Sequence, residues 1–190
     1  WRGPWAGISR TNWVMSNIDK SPRITNEKKT QYKGEAHFLR GLYYFNLVRL
    51  FGDVPWIEKQ QTASDNLMVK RTPKETVYEN IINDLKDAAE MLPAVYDNSS
   101  DIGRATKGAA FGLLAKVYLT QKRYKETLIA IDSVMDLNVY SLNRKYEWNF
   151  NDTRENGPES LFEVQYEKDV TAYSEFDILG QGGWHHEYMA

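Results

Sequence analysis

The residues best suited to ligand binding lie near the C-terminus, in residues 180–188. Trp184 and Tyr188 are large aromatic side chains, His185 follows Trp184, and three glycines precede them. Because glycine lets the backbone turn freely, this segment can present Trp184 to solvent. A flat aromatic face can stack on the apolar face of a sugar ring while neighbouring polar groups bond its hydroxyls. The sequence fits equally well with Trp184 packing inward as a loop anchor.

A second candidate combines an aromatic side chain with amides. Trp148 is followed by Asn149, in the polar stretch 143–158. The same stacking and hydrogen-bonding chemistry is available there, although packing within the loop is the favoured alternative for Trp148. Aromatic residues inside helical patterns, such as Phe38, are predicted to belong to the core instead.

The sequence predicts no catalytic centre, no metal site and no cofactor. His185 and His186 are adjacent and therefore point in different directions, and the H-E-x-x-H spacing of zinc enzymes is absent. No pair of carboxylates stands out for glycoside hydrolysis, and no nucleophile-elbow motif is present. The chain has no cysteine, which excludes disulfides, thiolate metal ligands and cysteine nucleophiles.

Composition is that of an ordinary globular domain. Of the 190 residues, 42% are hydrophobic and 26% are charged, and the length favours a single domain. The formal net charge of −2 gives no electrostatic footprint for nucleic acid or an anionic membrane. No apolar run approaches the roughly 20 residues needed to cross a bilayer. The chain opens without Met or a signal peptide, so we expect a fragment.

Hydrophobic periodicity predicts five helices. They cover about residues 5–19, 26–50, 73–91, 106–121 and 124–136. Thr72 is predicted to cap the third helix, with Pro73 in its first position and Glu75 completing a capping box. Residues 54–71 form a long loop. Residues 137–190 are loop-rich, and alternation in 161–166 predicts a short strand.

A helical repeat pattern relates parts of the region 26–136. Phe111-x2-Leu114-Ala115-x2-Tyr118, followed by Thr127-x3-Ile131, fits the tetratricopeptide pattern. A weaker copy begins at Phe38. Two such units bury their apolar stripes by stacking side by side. The predicted fold is therefore mainly α, with tetratricopeptide-like helical hairpins, long irregular loops and a minor β element.

Four segments in order resemble the SusD/RagB family of nutrient-binding lipoproteins. Residues 35–55 resemble its E-A-x-F-L-R-A-x-x-Y-F-x-L-V-x-x-F-G-x-V-P segment, with Gly41 where Ala is usual. Residues 71–81 resemble R-x-x-x-x-E-V-Y-x-x-I, and residues 103–119 resemble G-R-A-T-K-x-A-A-x-x-L-L-A-R-V-Y-L. Residues 159–164 are similar to the strand that follows. The resemblance makes residues 1–190 a single SusD-like domain, incomplete at both ends.

The resemblance implies a concrete function. Members of that family are surface-exposed, lipid-anchored proteins of the bacterial outer membrane that bind a nutrient, typically a glycan. They cover a TonB-dependent, SusC-like barrel transporter and are not enzymes. The matched motifs belong to the scaffold, so no binding residue is carried over, and the lipid anchor is expected outside this chain. The alternative is a tetratricopeptide adaptor for a peptide or protein, which predicts further regular repeats with short loops.

Overall fold

The computed structural model describes residues 1–62, 64–65 and 68–165, and this part of the chain is mainly helical. Its α-helices are α1 (Arg2–Asn17), α2 (Asn26–Phe51), α3 (Lys74–Met91), α4 (Lys107–Thr120) and α5 (Tyr124–Met135). Each of these helices packs against the next one in sequence, and a short turn joins α4 to α5. The predicted fold class is confirmed, and the arrangement is compatible with tetratricopeptide-like hairpins. None of the described helices is long and apolar enough to cross a membrane.

Local signals set several helix ends where the sequence places them. Thr25 caps α2 by accepting a hydrogen bond from the backbone N–H of Lys28 at 3.3 Å. Gly52 ends α2 with φ of 68° and ψ of −125°, a conformation that only glycine adopts without strain. Thr106 caps α4 by accepting from the Ala109 N–H at 3.1 Å.

The predicted cap of α3 is wrong. Thr72 does not cap the helix, because its backbone and side chain pair with the segment after α2. Its N–H donates to the Val54 carbonyl at 3.0 Å, and its hydroxyl accepts from the Trp56 N–H at 3.2 Å. The α3 amide of Lys74 is satisfied instead by the Asp53 carboxylate at 2.9 Å. A distant carboxylate therefore does what the local capping box was expected to do.

The predicted strand at 161–166 does not form in residues 161–165, and Tyr166 lies outside the described residues. Within the described ranges, the β pairing consists of one antiparallel bridge between Val54 and Thr72. Alternation alone does not make a strand, because a ladder needs a second extended segment beside it. Phe162 instead packs edge-on against Phe38 of α2, with ring centroids 4.9 Å apart.

The hydrophobic core lies between consecutive helices. Ile8 and Asn12 of α1 are buried in it, while Trp13 is 56% exposed. Besides Ile8, the largest fully buried apolar side chains are Phe38, Tyr44, Phe45, Leu47, Ile81, Ile82 and Leu85. They come from α2 and α3, which therefore form the central pair of the stack.

A buried polar cluster, here called the Arg40 junction, consists of Asn12, His37, Arg40, Asp84 and the Glu58 carbonyl. Arg40 and Asp84 are only 5% and 4% exposed. The guanidinium donates to both Asp84 oxygens, at 2.7 and 2.6 Å, to the Asn12 side chain at 2.9 Å and to the Glu58 carbonyl at 3.0 Å. The junction therefore ties α1, α2, α3 and the 54–71 loop together.

Tyr44 adds a second contact between α2 and the start of the 54–71 loop. Its hydroxyl accepts from the Ile57 N–H at 2.7 Å, and burial raises the pKa of the phenol. Its ring lies 4.0 Å from the Trp56 ring. Trp56 therefore packs on the side of α2.

Candidate functional site

The candidate site lies in residues 143–159, here called the Trp148 loop, which follows α5. Two short 3-10 turns, Tyr146–Phe150 and Asp152–Arg154, give it a fixed shape. The Asn151 side chain caps the second turn by accepting from the Thr153 N–H at 2.9 Å and from its hydroxyl at 2.7 Å. Asn156 then turns the chain with φ of 55°. Asparagine tolerates this left-handed conformation better than most residues.

Two aromatic side chains of this loop face solvent as a pair. Tyr146 and Phe150 are 79% and 73% exposed, and their rings meet edge-to-face with centroids 5.2 Å apart. Trp148, between them in sequence, is half-buried, and the Arg154 guanidinium lies over its ring at 3.9 Å. The exposed aromatic surface is therefore supplied by Tyr146 and Phe150, while one face of Trp148 is already covered by a cation.

A hydrogen-bond network holds the polar side of the loop. The Asn143 backbone N–H donates to Glu159 at 2.9 Å, and the Asn149 amide donates to the same oxygen at 3.1 Å. Asn143 also donates to the Asn149 side-chain oxygen at 2.5 Å. The Asn143 and Asn149 hydrogen bonds hold the pKa of the Glu159 carboxyl below its usual value, because they favour the charged form. Glu159 is therefore a fixed, ionised acceptor.

A cavity of about 480 Å³ opens beside this network. It is lined by Asn143, Asn149, Phe150, Asn151, Arg154, Glu155, Gly157, Glu159, Ser160 and Glu163. These groups include amide and guanidinium donors, amide and carboxylate acceptors, a hydroxyl and one aromatic ring. A ligand with many hydroxyls can find both donors and acceptors there, with Phe150 at the edge for an apolar ring face.

The structure places the predicted site residues as follows. Asn149 lines the cavity, and Trp148 lies in the same loop with Arg154 over its ring. Trp184, His185 and Tyr188 lie outside the described residues. Sequence reasoning singled out neither Tyr146 nor Phe150 as a binding residue, although two aromatics four positions apart in a polar stretch were a usable signal.

A larger groove, of about 840 Å³, lies where the end of α2 meets the start of α3 and the end of α4. Its aromatic residue, Tyr78, packs against the Phe45 ring at 6.5 Å, and burial raises the pKa of the Tyr78 phenol. The Arg49 guanidinium lies 4.6 Å from the Phe45 ring. Because these aromatic faces are occupied from within the protein, this groove is less suited to stacking a ligand than the Trp148 loop.

Comparison with known proteins decides the family. The family model for SusD-like proteins, described as starch-binding and associating with the outer membrane, matches residues 1–119. This chain belongs to the SusD-like family. The membership predicted from the four sequence segments is thereby confirmed.

Individual SusD-like relatives support this conclusion. SusD-like protein P25 of Formosa agariphila is 27% identical over 183 residues, which cover 96% of this chain and 34% of that protein. A SusD-like protein from Bacteroides fragilis is 35% identical with a TM-score of 0.81, covering 88% of this chain and 33% of that one. A laminarin-binding SusD-like protein is 28% identical with a TM-score of 0.81, covering 87% and 37%. This chain thus spans about a third of the length of these relatives.

Proposed function

We propose that this chain is the helical part of a non-catalytic protein that binds a glycan at the bacterial cell surface. The observation that carries the proposal is the match of its fold to a laminarin-binding SusD-like protein, with a TM-score of 0.81 and 28% identity over 87% of the chain. From this similarity in sequence and fold together we infer a shared ligand class. Membership of the family described as starch-binding points the same way.

The Trp148 loop is the part of the described chain that we assign to the ligand. Tyr146 and Phe150 offer exposed aromatic faces, and the adjoining cavity offers amides and carboxylates. Trp184, His185 and Tyr188 remain a second proposed contact. The ionised Glu159 serves here as a hydrogen-bond acceptor for hydroxyls, since a lowered pKa is the reverse of what a general acid needs.

The wider setting follows the family. We place the protein at the outer membrane, exposed at the surface and held by a lipid anchor outside these residues. There it delivers its glycan to a TonB-dependent, SusC-like transporter. The outer-membrane association in the family description supports this placement, and a pull-down with the transporter tests the partner directly.

The experiment is a glycan screen by affinity electrophoresis, followed by calorimetry, on the 190-residue chain. Laminarin and starch are the first polymers to test, because both appear in the descriptions of related proteins. If the Trp148 loop carries the ligand, Tyr146→Ala and Phe150→Ala each weaken binding. An aromatic contact is worth about 0.5–1.5 kcal/mol, which corresponds to about a 2- to 12-fold rise in Kd.

Matched controls separate the site from the function. Tyr124 is an aromatic residue of α5 with similar exposure, 61%, so Tyr124→Ala is expected to leave binding unchanged. Trp184→Ala tests the second proposed contact. If binding survives in both Trp148-loop variants but is lost in Trp184→Ala, the ligand site lies at Trp184 and not in the Trp148 loop. Failure of the unmodified chain to bind any glycan contradicts the proposed function for this part of the protein.

A further inference from the structure

Three side chains where α2 packs against α3 bring metal-ligating atoms together. His37 lies on α2, and Asp84 and Asp87 are three residues apart on α3, so they share one face of that helix. One potential ligand atom from each lies within 4.8 Å of the other two. We propose that His37, Asp84 and Asp87 form a site for a divalent transition-metal cation, with Zn²⁺ as its representative. The sequence predicted no metal site, because it does not show that these three residues meet.

The distance between two of the ligand atoms is close to what a metal requires. Zinc takes histidine nitrogen and carboxylate oxygen at about 2.0–2.2 Å, so two ligands of one ion lie roughly 3 to 3.5 Å apart. The His37 Nδ1 and Asp84 Oδ1 atoms are 2.8 Å apart. A shift of well under 1 Å, of the size that side chains make readily, would open this pair enough to admit an ion. The third ligand is adaptable, because Asp87 is exposed and its side chain can change rotamer in solvent.

Arg40 orients the central carboxylate. Its Nε donates to Asp84 Oδ2 at 2.7 Å and its Nη2 to Asp84 Oδ1 at 2.6 Å. A carboxylate oxygen has two acceptor positions, and the second one on Oδ1 accepts from His37 Nδ1 at 2.8 Å. An ion would replace this hydrogen bond, with the imidazole proton carried on Nε2 instead. Carboxylates that bind metals are commonly held by hydrogen bonds from a second layer of residues in this way. Asp84 is therefore presented to an ion at a fixed angle.

The charges near the site favour the binding of a cation, but only with moderate affinity. The Asp84, Asp87 and Glu58 carboxylates line one cavity, together with the cations Arg40 and Lys59. The nearby guanidinium opposes a second positive charge, so we expect binding in the micromolar range and not the nanomolar range. Imidazole nitrogen combined with carboxylate favours Zn²⁺, Ni²⁺ or Cu²⁺ over Ca²⁺ and Mg²⁺, which prefer all-oxygen sites.

There is room to complete the coordination. The cavity beside these residues measures about 340 Å³, and Asn80 and Asn83 also line it. Because a water molecule occupies about 30 Å³ in the liquid, the cavity has space for the one or more waters that a three-ligand ion needs. Bound there, the ion would link α2 to α3 at the edge of the Arg40 junction, to which His37 and Asp84 belong.

The test is calorimetric titration of the chelator-treated 190-residue chain with zinc chloride. We expect one Zn²⁺ per chain, and binding at least about tenfold weaker in the Asp87→Asn variant, which removes an exposed ligand without disturbing the core. Glu90→Gln is the matched control, since Glu90 is an exposed acid on the same helix. No saturable binding below about 1 mM, or equal losses in both variants, overturns the proposal.

The competing site must be excluded in the same experiment. The chain has three histidines, and His185 and His186 are adjacent. The double variant His185→Ala/His186→Ala is expected to keep its Zn²⁺, while His37→Ala loses it and retains its circular dichroism spectrum. If His37→Ala still binds Zn²⁺ and the double variant does not, the proposal is contradicted. Should His37→Ala fail to fold, Zn²⁺ binding by Asp87→Asn and by the double variant still tests the proposed site.

Discussion

The Arg40 junction and the Trp148 loop are built from the same kinds of residue, but one is buried between helices and the other faces solvent. In each, an arginine lies near a tryptophan ring, at 5.5 Å for Arg40 and Trp56 and at 3.9 Å for Arg154 and Trp148. Each also contains a carboxylate that accepts two or more hydrogen bonds. Residue chemistry alone therefore does not separate a structural cluster from a binding surface in this protein.

Burial makes the difference. In the junction, Arg40 and Asp84 are almost fully buried, so a polar atom that loses its partner inside the protein has little water to replace it. The partners come from α1, α2, α3 and the 54–71 loop, so the cluster fixes how these elements meet. In the Trp148 loop, water can replace any lost partner, and the same groups stay free to exchange water for a ligand.

Arg40→Ala is the strongest test of whether the buried junction organises the fold. Removing one partner of a buried ion pair leaves the Asp84 charge uncompensated, and we expect a loss of about 3–5 kcal/mol in the free energy of unfolding. Urea denaturation followed by circular dichroism measures it. Arg23→Ala, at an exposed position, is the control and should change stability by less than about 0.5 kcal/mol. A loss below about 1 kcal/mol for Arg40→Ala would show that the junction does not organise the fold.

Tyr44→Phe tests the buried region with a smaller change. It deletes only the hydroxyl that accepts from the Ile57 N–H at 2.7 Å, while the stacked ring stays in place. An unsatisfied buried donor costs about 1–3 kcal/mol, measured by the same urea titration. Tyr124→Phe removes an equivalent hydroxyl from an exposed ring and should be neutral. Equal effects in the two variants would mean that water reaches Ile57.

Sequence reasoning predicted the helices well because their end signals are local. Gly52 and Thr106 each act within one turn of the helix they bound, so their effect can be read from neighbouring residues. Thr72 failed as a cap because it pairs with Val54 and Trp56. Asp53, 21 positions before Lys74, supplies the acceptor for the Lys74 N–H instead. A hydrogen bond between residues so far apart in sequence depends on the tertiary fold, which the local sequence pattern does not contain.

The candidate site was predicted only in part, for a similar reason. The choice of the polar stretch around Trp148 and Asn149 rested on residue types, and Asn149 does line the cavity there. Which aromatic ring faces solvent depends on Arg154 lying over Trp148, a contact between two turns that sequence spacing does not reveal. The Arg40 junction was missed entirely, because its members come from three helices and a loop.

On the exposed side of the comparison, Phe150→Ala should leave stability nearly unchanged. Its side chain is 73% exposed, so we expect a change within about 0.5 kcal/mol by urea denaturation. Phe38→Ala is the matched buried change, since Phe38 is 2% exposed, and it should cost about 3–5 kcal/mol. A large loss for Phe150→Ala would reassign that ring from ligand binding to the support of the fold.

The smallest effect concerns the protonation of Glu159. Its folded-state pKa lies below the ordinary value of 4.5, mainly because the Asn143 N–H donates to it and secondly because the Asn149 amide does. Since a depressed pKa means that the charged form is favoured, these hydrogen bonds are fully present above pH 4.5 and are lost as the pH falls through the folded value. These hydrogen bonds to Glu159 are therefore favoured at neutral pH. Carboxyl titration by NMR should show the pKa of Glu159 rising towards its ordinary value in Asn149→Ala, and staying in place in Asn151→Ala. An unchanged pKa in Asn149→Ala would mean that the backbone donor alone holds the charge, so that Asn149 is free to bond a ligand without releasing Glu159.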